Sequence, residues 1–272
     1  MDLLLMFLAY PGLVATLALT VLFAVLANER VQVPNAAHVQ AVRSTEGIVG
    51  LASIAFAIWG ITLLPWPLHP APLLPWIDHP IAIWAVLEAS FLAPALLGLL
   101  SNSPFATRAN LREVQMGVAG RCIVWIAIGG ALWLPVDWSI ASLPGRGLLL
   151  LAGLLAMPAA IGYGPFGAER NLSTAGSEEG LDEATSGVLR SARAVRGSVL
   201  LLALIVASLA WSPVPPWIIL MLTLAIFIVA TLLIRQVSLV LPRLTLPGAL
   251  HWCWWRVMPI ALLGFMLRVV VA

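Results

Sequence analysis

The 272 residues include no lysine, only 10% charged residues, two cysteines, two tyrosines and four histidines. A soluble fold of this length needs a charged surface. The shortage of charge, with 61% hydrophobic residues and a mean hydropathy of +1.02, predicts a polytopic membrane protein. Cys122 and Cys253 are isolated and lack metal-ligand spacing, which excludes a disulfide framework and a zinc site. No two of His38, His69, His79 and His251 form an i, i+4 ligand pair, so each is read as structural or interfacial. No basic n-region opens the chain: Asp2 stands there instead, and the apolar run that follows exceeds a signal's hydrophobic region. The first segment is therefore read as a retained span.

What the chain does have is apolar length. A spanning helix takes roughly 20 largely apolar residues, and on that rule spans fall at 3–26, 47–64, 81–100, 113–134, 147–164, 197–212, 214–234 and 255–271. Pro11, Pro94 and Pro158 lie inside these spans, as bilayer helices tolerate. The fold class is thus all-α, with about eight transmembrane helices forming one membrane domain.

All the basic residues are arginine, and they are unevenly distributed. Loops after the odd-numbered spans hold Arg30 and Arg43, then Arg108 and Arg112, then Arg170, Arg190, Arg193 and Arg196, then Arg235, Arg243 and Arg256. On the opposite side are Arg146 and the near-terminal Arg268. By the positive-inside rule the first set is cytoplasmic and both termini face outward. The outward loops are rich in Trp and Pro, as at a membrane interface. No interrupted inverted repeat is discernible, which weighs against a secondary transporter.

Two groups of charges stand out. Glu88 and Arg121 each lie well inside a span, and a charge at bilayer centre costs at least about 2.5 to 3.5 kcal/mol unless it is paired. They are expected to pair with each other, acting as a strut more than as a group that takes up and releases protons; the alternative is that Arg121 meets a neighbouring protein chain. The stretch 165–196, read as a cytoplasmic loop, holds Glu169, Glu178, Glu179, Asp182 and Glu183 followed by the three arginines. It is either a solvated loop or a set of carboxylates that share protons.

The segment Ser101–Glu113, "SNSPFATRANLRE", resembles a loop of the H-type membrane subunit of respiratory complex I, commonly S-N-S-K-Y-A-L-L-G-A-L-R. Ser101, Asn102, Ser103, Ala106, Leu111 and Arg112 match in register, with Phe105 in the tyrosine's place. That family includes the membrane anchor subunit of group 4 nickel-iron hydrogenases and formate hydrogenlyase. Its corresponding segment often continues R-E-x-x-Q, similar to Arg112, Glu113 and Gln115, with the glutamine one place early. Near the C-terminus, Pro242, Arg243, Trp255, Arg256, Pro259, Ala261 and Leu262 fall at or within a residue of the family's closing pattern.

There are departures. The family's P-F-D-L core is missing from the acidic loop, the quinone-associated pattern of the first loop is absent, and Arg121 occupies the place of a fourth-helix glutamate. The resemblance implies a membrane anchor and coupling subunit that links a cytoplasmic redox arm to proton or sodium translocation. It implies no cofactor bound by this chain, with iron-sulfur clusters and nickel-iron or quinone chemistry in partner subunits. The implied partners are hydrogenase-like and iron-sulfur peripheral subunits, antiporter-like membrane subunits and the lipid bilayer of the cell's plasma (inner) membrane, with no nucleic acid. Glu88, Arg121, Glu113, Glu169, Glu178, Glu179, Asp182 and Glu183 would form the proton path or charge pairs. Asn102, Arg108, Arg112, Arg170, Arg243 and Arg256 would dock the peripheral arm, with Arg112 and Glu113 capping the fourth span. A degenerate scaffold that conducts nothing, or an independent transporter, are the alternatives.

Overall fold

The computed structural model describes residues 8, 10–27, 42–68, 80–100, 104–134, 138–167 and 183–271. Among these there are helices and turns but no strand. The helices are α1 (Leu13–Ala27), α2 (Thr45–Thr62), α3 (Pro80–Leu100), α4 (Pro104–Leu132), α5 (Leu143–Ala160), α6 (Glu183–Leu209), α7 (Pro216–Val240) and α8 (Leu246–Val271), the last with a π-turn at Trp252–Val257. Six of them are long and apolar enough to cross a membrane; α1 and the 81–96 part of α3 are shorter apolar helices. The chain is an all-helical polytopic membrane protein.

Helix starts follow local chemistry. The Ser44 side chain accepts from Gly47 N at 3.0 Å and caps α2, and Thr245 does the same for α8 from Gly248 N. Proline opens α3, α4 and α7, where its missing N–H costs nothing. Two starts differ from the hydropathy reading. Helix α4 begins at Pro104, so Arg112 and Glu113 lie more than two turns inside it and do not cap it. Likewise α6 begins at Glu183, so the arginines assigned to a loop are helical. In both cases Ala, Leu and Arg are good helix formers, whereas a hydropathy window penalises the arginines.

Contacts near helix ends define two faces. On one, Ser44 Oγ meets Thr185 Oγ1 at 3.0 Å, Arg112 donates to Leu244 O at 3.0 Å, and Arg235 donates to Leu26 O at 3.3 Å. On the other, Tyr10 donates to Pro67 O at 2.8 Å, Trp138 to Ala210 O at 3.3 Å, and Gly145 packs on Arg268. Successive helices therefore alternate in direction, and the first and last described helix ends lie on the second face. Arg43, Arg108, Arg112, Arg190, Arg235 and Arg243 gather at the first face, whereas Arg146 and Arg268 lie at the second.

Helix α6 is the hub, packing on α1, α2, α3, α4, α5 and α7. Its spanning window is 89% buried, against 28% for α7 and 22% for α8. Small residues let neighbouring backbones approach: Gly120 lies against the backbone of Ala159 and Ala160, and Gly145 faces Gly264.

Candidate functional site

Helix α3 contains Pro94, which has no N–H to give the carbonyl four residues earlier, that of Ser90. That freed oxygen accepts two other hydrogen bonds: from Ser53 Oγ on α2 at 2.6 Å and from Arg196 Nη1 on α6 at 3.1 Å. A proline thus creates the acceptor that draws a buried arginine into the middle of the bundle. Arg196 is 7% exposed.

Two residues before Ser90 on α3, Glu88 accepts at Oε1 and Oε2 from Arg121 Nε on α4, at 2.9 and 3.1 Å. Trp125 Nε1 donates to the same carboxylate at 2.7 Å. Arg121 and Trp125 are four apart on one helix, and Glu88 and Phe91 are three apart on the next, so each pair shares a face. Both cations approach the Phe91 ring, whose centroid is 4.6 Å from Arg121 Cζ and 5.3 Å from Arg196 Cζ. Such cation–π contacts help to hold guanidinium groups away from water. Towards the arginine-rich face, Arg193 meets Glu113 at 3.4 Å, with both side chains part-exposed.

Geometrically, Glu88 is a carboxylate held by two donors, and its negative charge is matched by Arg121. Arg196 is held by a carbonyl dipole and a ring face, with no carboxylate among its described hydrogen-bond partners. The cluster therefore fixes α3, α4 and α6 to one another near mid-membrane depth. At the ordinary rise of about 1.5 Å per residue, Glu88 lies roughly 12 Å from the start of α3.

The other residues singled out from sequence scatter. Arg108, Arg243 and Arg256 are exposed, and Arg112 is partly buried beneath Leu244. Glu183 is the first residue of α6. Asn102, Glu169, Arg170, Glu178, Glu179 and Asp182 lie outside the described residues. Arg196, Phe91, Trp125 and Ser90 were not singled out. Pro94 and the four-residue spacing of Arg121 and Trp125 were signals available in the sequence for part of this set.

No family model and no curated protein sequence matches the chain. Comparison with solved structures does give a match: a chain in the structure of the membrane-bound sulfane sulfur reductase, an archaeal respiratory membrane complex. The TM-score is 0.66 and the match covers 98% of both chains at 19% identity. The two chains share a fold. Because the match covers nearly the whole chain, the helices that carry the Glu88–Arg121–Arg196 cluster lie within the shared fold.

Proposed function

We propose that this chain is a membrane subunit of a multisubunit respiratory-type assembly, anchoring a peripheral redox arm at its arginine-rich face. The observation that carries the reading is the fold shared over 98% of each chain with a chain from a respiratory membrane complex. The resemblance of residues 101–113 and 242–262 to the H-type membrane subunit of complex I and to the anchor subunits of group 4 hydrogenases supports the same assignment. On this reading the arginine-rich face is cytoplasmic, in the plasma membrane, by the positive-inside rule. Arg108 and Arg243 are exposed there to meet the arm, and Arg256 is exposed further along α8. Iron-sulfur and hydrogenase-like subunits form that arm and carry the redox centres, antiporter-like subunits lie alongside in the membrane, and proton or sodium movement is coupled to electron transfer.

A second reading, a scaffold that conducts nothing, is favoured locally by Glu88. Its carboxylate is engaged by both Arg121 and Trp125, which makes it a fixed link between α3 and α4.

Purification of the tagged chain in mild detergent, with mass spectrometry of what accompanies it, tests the assignment. Iron-sulfur, hydrogenase-like and antiporter-like subunits are expected in near-stoichiometric amounts. A stable, monodisperse chain recovered alone, active in liposomes, would replace the subunit with an independent transporter.

A further inference from the structure

The exposed helix faces at membrane depth differ in chemistry. On α7, from Trp217 to Leu233, every exposed side chain is apolar, and the same holds on α8 beyond Val257. Such faces suit lipid tails.

Helix α4 is different. Leu111, Gln115, Val118 and Cys122 are exposed, and the stripe continues through the half-buried Trp125, which donates to Glu88. The spacing alternates four, three, four, three, which is the seam by which one helix packs along another at a shallow angle. Two members of the stripe are not apolar. Gln115 lies within the candidate span Thr107–Leu132, and among the described residues its amide makes no hydrogen bond. Cys122 follows Arg121 and lies within electrostatic reach of Glu88. Among the described residues, the other exposed amide on these faces, Gln236, sits four residues from the end of α7 and beside Arg235, whereas Gln115 lies further from its helix end, past the third turn of α4. An amide facing hydrocarbon with nothing to bond is unfavourable, and lipid tails offer it nothing. A second helix does, and a single polar residue in an otherwise apolar seam also fixes register.

We propose that the α4 stripe Leu111–Gln115–Val118–Cys122 is the docking surface for a transmembrane helix of another subunit, which presents a hydrogen-bonding side chain to Gln115. The α7 face, by contrast, contacts lipid. This inference rests on the chain being a subunit of an assembly.

The test uses the assembly in native membranes, with the photo-cross-linker p-benzoyl-phenylalanine placed at Val118 and, as control, at Val229 on α7. Both sites are exposed, 47% and 56%, so neither replacement disturbs the core. Val118 is expected to give one adduct, to an apolar helical segment of a single co-purifying subunit, while Val229 gives lipid adducts. Gln115→Leu is expected to lower the Val118 adduct yield roughly threefold, the worth of one typical interhelical hydrogen bond. Lipid adducts alone at Val118, in a complex whose subunits still co-purify, would overturn the docking surface and leave the assembly standing. An adduct to a second copy of this chain would overturn it as well. A chain that purifies alone fails the assembly reading first, and the docking surface with it.

Discussion

Arg121→Met is expected to destabilise the solubilised protein by about 3 to 5 kcal/mol, because it leaves the Glu88 carboxylate, only 12% exposed, without its cation. Glu88→Gln is expected to cost less. The amide oxygen can still accept from Trp125, and the penalty is mainly the uncompensated Arg121, about 2.5 to 3.5 kcal/mol on insertion scales. The decisive result is the double variant. Glu88→Gln combined with Arg121→Met removes both charges and is expected to recover most of the loss, since breaking an ion pair on one side is costlier than deleting it. The midpoint of thermal aggregation in detergent, followed by size-exclusion fluorescence, reads all three. Additive losses in the double variant would mean that the two side chains do not act as a unit. A Glu88→Gln complex that assembles in full yield yet no longer moves ions would assign Glu88 to the conduction path and discard the strut.

Gly120→Ala is expected to be damaging as well, though less so. A Cβ at that position would lie 2.4 Å from Ala160 N and 2.8 Å from Ala159 C, both of them backbone atoms that no rotamer change can move. The helices α4 and α5 would have to separate, at a cost of about 1 to 3 kcal/mol for overpacking and more for Gly120→Val. Gly147→Ala on α5 is the control. Nothing lies within 4 Å of its added methyl, so the better helix propensity of alanine, about 1 kcal/mol, is expected to leave the protein unchanged or slightly more stable. Equal aggregation midpoints for Gly120→Ala and the parent protein would show that the close approach of α4 and α5 contributes nothing.

Hydropathy locates the cores of the helices well and their ends less well. Each of the eight apolar segments contains a helix, since twenty apolar residues in a bilayer have no other way to satisfy their backbone. The ends move wherever arginine lies in helix-forming sequence. Residues 183–196 read as loop by polarity, yet Val188, Ala192 and Val195 recur at helical spacing and are buried against the bundle. Similarly, the polar collar 104–113 is the first part of α4. The pairing of Glu88 with Arg121 could be posed from sequence, because two charges in adjacent spans have few alternatives. The third member could not, because Arg196 reaches a carbonyl 106 residues away that is vacant only because of Pro94.

By itself the sequence determined that the chain lives in a bilayer as a helical bundle and that one side carries most of its arginines. Those properties come from local composition, which each segment carries whatever its neighbours are. Only the tertiary structure decided that α6 is the hub, that two arginines approach Phe91, and that α4 turns a glutamine and a cysteine outward. Which helices touch depends on the fit of small residues such as Gly120 and Gly145 against particular backbones. That fit is a property of pairs of surfaces, and a linear pattern of hydrophobicity does not encode it.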